Sequence, residues 1–146
     1  MDEKLFWQIL DDLDWNYEGE DDLVIKPVIN RLAQMTDEEI FGFEETMASL
    51  LYGLDGKYWA KQAFGDTEYF PVDAFLYCRC VAIINGEDTY YAIKNREIPL
   101  KGDLEFEAIL YVAAEAWAQK HKLNPSESPY ISECSYEIGS NLELWK

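Results

Sequence analysis

The stretch from Val72 to Ile84 constrains this chain more than any other. It carries only two charged residues, Asp73 and Arg79, and its apolar side chains fall all round a helical wheel. Such a helix has no solvent face of its own, so other elements must cover it on every side. It is also too short to span a bilayer, which takes roughly 18 apolar residues. Pro71 can open it at the first turn, and Asn85-Gly86 ends it with residues that accept a left-handed backbone.

The covering helices are legible in the remaining sequence. From Lys4 to Leu13, Leu5, Phe6, Ile9, Leu10 and Leu13 form one stripe, with Gln8, Asp11 and Asp12 opposite. Gly19 and Glu20-Asp21-Asp22 break that pattern. Leu23, Ile25, Val28, Ile29, Leu32 and Met35 predict a second helix, with Pro27 confined to its first turn. Thr36-Asp37-Glu38-Glu39 is a capping box, in which the Thr36 hydroxyl takes the Glu39 amide and the Glu39 carboxylate reaches back. A third helix follows to about Tyr52, with Ile40, Phe43, Met47, Leu50 and Leu51 inward, and stops at Gly53. A short helix over Leu54 to Phe64 carries Tyr58 and Trp59 and ends at Gly65. A loop then runs from Gly65 to Phe70.

Beyond the central helix, Glu87 to Asn95 predicts another short helix, and Pro99, Gly102 and Asp103 a loop. Leu104 to Lys122 is the longest helical signal, with Phe106, Ile109, Leu110, Ala113, Ala114 and Trp117 inward. Its Lys120-His121-Lys122 end complements the helix dipole. From Asn124 the chain is irregular, with Pro125, Pro129 and repeated serines. Tyr130, Ile131, Tyr136, Ile138, Leu142, Leu144 and Trp145 are nevertheless apolar enough to dock, with room for one short strand. The expectation is a single compact all-α domain over residues 1–146, with a docked tail over 123–146.

Twenty-nine acidic residues against twelve basic ones give a formal net charge of −17. High charge suggests disorder only when hydrophobicity is low, and five Trp, ten Tyr and seven Phe exclude that here. A field of this sign repels nucleic acid and anionic membrane and attracts basic proteins, and it also favours solubility by itself. The acidic start MDEKLFWQIL lacks the basic opening of a signal peptide. Three cysteines (Cys78, Cys80 and Cys134) without framework spacing fit reduced thiols, so the expected location is the cytoplasm.

The candidate chemical motifs weaken on inspection. Asp12-x-Asp14-x-Asn16 begins like a calcium loop, but Tyr17 stands where the turn needs Gly and Leu23 where a bidentate Glu belongs. Cys78 and Cys80, two apart on a helix, point about 200° apart and read as small buried hydrophobes. One histidine, His121, is too little for a zinc site or a Cys–His pair. No pattern calls for a metal, a cofactor or a catalytic residue. Arg79 is different, because a guanidinium inside so apolar a helix needs a partner. Asp73 is off its face, and Glu107 or Glu115 is the better candidate. The alternatives are a structural ion pair, an arginine whose head reaches water, and an anion-binding pocket.

The pattern from Pro71 to Gly86 resembles a bacterial family of unknown function, domain of unknown function 4240. Asp73, Phe75, Arg79 and Ile83 match the family's central motif, while Val72, Cys78 and Val81 replace its usual Asp, Phe and Trp. Phe6-Trp7, the capped Thr36-Asp37-Glu38-Glu39-Ile40 with Phe43-Glu44, and Phe106 to Trp117 extend the resemblance over roughly residues 1–122. It implies an all-helical bacterial cytoplasmic domain and transfers no activity.

Phe6, Phe43, Trp59, Phe75 and Trp117 lie on inward stripes, whereas Trp7, Trp15, Tyr17, Tyr90 and Tyr91 are less committed to the core. Aromatic rings among exposed carboxylates suit protein binding, where rings anchor and charges steer. The candidate face is Asp11, Asp12, Asp14, Trp15, Tyr17, Glu18, Glu20, Asp21 and Asp22. The leading expectation is a non-catalytic protein that binds a basic partner, as an immunity protein covers a cationic toxin or a duplex mimic covers a nucleic-acid-binding protein. The alternative is a small hydrolase or ligand-binding domain with a pocket near Arg79.

Overall fold

Residues 1–66 and 69–146 are described by a computed structural model, and every regular element in it is helical. The helices are α1 (Glu3–Leu10), α2 (Asp21–Val24), α3 (Lys26–Ala33), α4 (Asp37–Tyr52), α5 (Lys57–Phe64), α6 (Val72–Ile84), α7 (Glu87–Lys94), α8 (Val112–His121) and α9 (Leu142–Trp145). Single 3-10 turns occupy Trp15–Tyr17, Glu107–Tyr111 and Pro125–Glu127. No strand occurs among the described residues, and the all-α expectation holds. The loop predicted over Gly65 to Phe70 includes Thr67 and Glu68, which lie outside the described residues. The chain divides into two units: Met1–Thr46 with Ala108–Glu133, and Met47–Glu107 with Cys134–Lys146.

In the first unit, Asp2 caps α1 by accepting the Lys4 amide at 2.9 Å. Phe6, Trp7, Ile9 and Leu10 are buried, and Phe6 meets Phe43 with ring centroids 4.8 Å apart. Each such side chain contributes about 1.5–3 kcal/mol by leaving water. Trp7 is a correction: it belongs to the core, with its indole N–H on Glu3 Oε1 at 3.2 Å. The pattern of α1 is broken before Asp21, as expected, but the acidic run is not all loop. Asp21 and Asp22 fill the first turn of α2, where the positive end of the dipole favours them. The helix predicted from Leu23 is two helices, because Pro27 lacks an N–H and admits only the first turn of α3. Val28, Ile29 and Leu32 are buried, and α3 packs along α8.

The capping box before α4 forms as predicted: Thr36 Oγ1 accepts the Glu39 amide at 3.1 Å, and Glu39 Oε1 accepts the Thr36 amide at 3.2 Å. Asp37 then receives Lys120 Nζ at 2.8 Å and His121 Nε2 at 2.9 Å, tying the start of α4 to the end of α8. Hydrogen bonds from these two groups hold its carboxyl below the usual range. The inward stripe of α4 (Ile40, Phe43, Met47, Leu50 and Leu51) is buried along its whole length. The long helix predicted over Leu104 to Lys122 is shorter in fact. A 3-10 turn covers Glu107–Tyr111, α8 begins at Val112, Lys122 is left-handed, and Leu104 is half exposed. The longest helix is therefore α4.

In the second unit, the Leu54-Asp55-Gly56 segment predicted as helix is a turn, closed by Leu54 and Asp55 amides on the Leu51 and Tyr52 carbonyls. Gly56 precedes α5 where a Cβ would come within 2.8 Å of Leu144 and 3.0 Å of the Trp59 ring. Only glycine lets the turn approach α9 so closely. Phe75, Leu76, Cys78, Arg79, Cys80, Ala82, Ile83 and Ile84 of α6 are buried, as its composition requires, while Val72 faces solvent. Burial pushes the Cys78 thiol up to about 12 and raises Cys80 as well, so both are inert hydrophobes. Tyr90, expected to be less committed to the core, is buried and donates its hydroxyl to Leu50 O at 2.5 Å. The tail docks through α9 rather than a strand.

Candidate functional site

The acidic segment of the first unit is a closed loop. Leu13 and Val24 are buried at its two ends, and the Asp14 amide donates to Val24 O at 3.0 Å, drawing those ends together. Asp14 Oδ1 accepts the Asn16 amide at 3.1 Å and so caps the 3-10 turn Trp15–Tyr17. Gly19 follows at φ +95°, a region open to glycine and costly for other residues. The chain then enters α2. Leu13 and Val24 both point inward, and most side chains between them are turned outward.

The exposures agree with that geometry. Trp15 and Tyr17 are 43% and 45% exposed, large values for rings, and Asp11, Asp12, Glu18, Glu20 and Asp22 are exposed beside them. Asp14 and Asp21 are half-buried. Two members are already engaged: Asp14 as the cap, and Asp12 in an ion pair with Arg31 at 3.2 Å. Asp11, Glu18, Glu20, Asp21 and Asp22 make no ion pair among the described residues. Glu18, Glu20, Asp21 and Asp22 of the loop, with Asp11 at the end of α1, thus share one face with the Trp15 and Tyr17 rings.

Two further residues join this face. Leu23, predicted to point inward, is 43% exposed. Glu115, predicted as a partner for Arg79, belongs to the first unit. There it lines a hollow of about 500 Å³ with Asp22, Leu23, Lys26, Ile29 and Pro125. Burial and the neighbouring Asp22 raise its pKa, with Lys26 opposing. The signal for Glu115 was present in the sequence, as a lone acid on the apolar stretch from Val112 to Ala118.

Arg79 heads a different constellation, within the second unit. It is fully buried, with Nη1 donating to Leu51 O and Nη2 to Tyr136 O, both at 2.9 Å, and its guanidinium lies 4.6 Å over the Phe75 ring. The Nε is left without a partner. The expected carboxylate pairing is corrected: two carbonyls hold the charge. Glu107 instead hydrogen-bonds Tyr77, and Asp73 is exposed in the first turn of α6. Burial lowers the Arg79 pKa, and Asp55 is the strongest opposing influence.

Asp55 was missed by the sequence reading. It is fully buried, Oδ1 accepting Gly139 N at 3.0 Å and Trp145 Nε1 at 2.8 Å, Oδ2 accepting Asn141 N at 2.9 Å. Arg79 and Asp55 therefore fasten the tail at Tyr136, Gly139, Asn141 and Trp145. An acid between Leu54 and Gly56, in an otherwise apolar junction, was the available signal.

No group of three or more His, Cys, Asp or Glu is placed to hold a metal ion among the described residues. No helix among them is long and apolar enough to cross a membrane. The fold and its exposed loop define an acidic all-helical domain. The chain belongs to the family described as Protein of unknown function (DUF4240), matched over residues 1–119. No curated protein and no solved structure matches it.

Proposed function

We propose that this protein is a non-catalytic, cytoplasmic binding protein whose acidic loop engages a basic protein. The supporting observation is the closed loop from Leu13 to Val24, which presents Trp15 and Tyr17 among Glu18, Glu20, Asp21 and Asp22 on a backbone held at both ends, with Asp11 at the end of α1 beside it. A loop ordered before binding avoids the entropy of ordering it afterwards. The hollow beside it, with Asp22 and Glu115 over apolar walls, suits the stem and head of an arginine or lysine. An immunity-type inhibitor of a cationic toxin and a mimic that occupies a nucleic-acid-binding protein rest on the same physics. Arg79 and Asp55 serve as structural fasteners in this reading.

The test is binding kinetics against the basic partner, compared across salt. Neutralising Glu20, Asp21 and Asp22 together should lower the association rate by about tenfold at low salt and flatten its salt dependence. Trp15→Ala should leave association nearly unchanged and speed dissociation by about tenfold or more. Unchanged association by the neutralised loop would move the interface elsewhere.

A further inference from the structure

The second unit carries a hollow of about 700 Å³, lined by Lys57, Ala60, Lys61, Gly65, Asp66, Phe70 and Trp145. Its volume lies in the range of small-molecule sites. Two of its walls are aromatic and fixed from behind. Phe70 stacks on Phe64 at 5.4 Å with the planes 2° apart, and also meets Phe75 edge-on at 5.9 Å. Trp145 meets Phe75 edge-on at 6.0 Å, and its indole N–H is held by Asp55. Ala60, small and buried, leaves the space between them open.

The rim has the opposite sign to the rest of the molecule. Lys57 and Lys61 stand one helical turn apart on α5, which contains no acidic residue. Lys57 occupies the first position of that helix, where the dipole is already positive and gives a cation no support. Asp66 is the sole carboxylate among the described residues of the lining. It meets Lys61 at 3.8 Å with its own side chain 92% exposed, a pairing too open to water to fix either charge. Lys57 makes no ion pair among the described residues. In a chain of net charge −17, the described residues of this hollow set two cations against one carboxylate.

We propose that the hollow binds a small planar aromatic carboxylate, its ring between Trp145 and Phe70 and its anionic group at Lys57 and Lys61. The rings supply stacking faces, and the ammonium groups supply charge-assisted hydrogen bonds to the carboxylate. This site is independent of the acidic loop and of any protein partner.

The test titrates the full chain with 2-naphthoate, 2-naphthylmethanol and acetate, following the Trp145 indole N–H signal in two-dimensional NMR, assigned by its loss in Trp145→Phe. Naphthoate should shift that signal saturably. The neutral alcohol should bind at least about tenfold more weakly for want of the charged contact, and acetate should leave the indole unmoved for want of a ring. Lys57→Glu and Lys61→Glu, both at exposed positions, should retain the wild-type spectrum and each weaken naphthoate by about tenfold. No saturable shift with naphthoate overturns the proposal. So does equal binding of the alcohol, which would mean an apolar crevice only, or an undiminished affinity in both lysine variants.

Discussion

The loop from Leu13 to Val24 and the tail from Cys134 to Lys146 look alike as sequence: short, acidic, aromatic, and without helical periodicity. The structure uses their polar groups in opposite ways. In the loop, Asp14 accepts one backbone amide, while Glu18, Glu20 and Asp22 are exposed to water. At the tail, fully buried Asp55 accepts two amides and an indole N–H, and fully buried Arg79 donates to the Tyr136 carbonyl. A carboxylate in water costs the fold little and is available to a partner. A buried one is tolerable only when its lone pairs are matched, and it then positions whatever matches them. The acidity of this chain thus has two roles, and burial separates them.

The largest effect that would sharpen this contrast comes from Asp55→Ala. It leaves the Gly139 and Asn141 amides and the Trp145 indole N–H without their acceptor and removes the strongest electrostatic support of the Arg79 charge, so the expected loss is about 3–5 kcal/mol. Chemical denaturation measures it, and limited proteolysis should find the tail cut first. A variant as stable as the wild type would mean that the tail is held by its apolar contacts alone. Arg79→Ala comes next at about 3 kcal/mol, from a cavity and two unpaired carbonyls. Arg79→Met should lose less, since it fills the volume and removes the poorly solvated charge. If Met and Ala prove equally damaging, the two hydrogen bonds matter more than the space.

The sequence shows the helical skeleton well, because its signals are local. The Thr36 capping box, the bounds of Val72–Ile84 and the apolar stripe of α4 each depend on residues within a few turns of one another. Burial of Trp7 and Tyr90 was not legible. Each ring finds its acceptor through folding, Glu3 one turn away and the Leu50 carbonyl far along the chain, and neither position breaks a stripe. The partners of Arg79 were missed for a related reason. Composition reveals that a buried cation needs compensation, but backbone carbonyls are invisible in a list of side chains. Leu23 erred in the other direction, since periodicity carried it inward while Pro27 reset the helix and turned α2 outward. The acidic loop was legible as a segment, and its closure by Asp14 and Val24 was not.

The smallest effect probes the exposed side of the comparison. Glu115 has a pKa raised by burial and by Asp22, so ionising it is harder in the folded chain than in the unfolded one. A carboxyl shifted upward favours the fold below its unfolded value of 4.5 and loses that contribution as pH rises through the raised folded value. Glu115→Gln should therefore stabilise the protein at neutral pH and lose its advantage as pH falls through the raised folded value toward 4.5. The group is partly solvated, so the gain is well under about 1 kcal/mol, a rise of a few degrees at most in Tm. Thermal melts of both proteins across pH measure it. Asp22→Asn should give part of the same gain by removing the like charge, and the double variant less than the sum of the two. An advantage that persists unchanged in acid would trace to better packing of the amide instead. An advantage confined to neutral pH would show that Lys26 only partly offsets the negative charge in this hollow, the condition that a cationic side chain of a partner would relieve.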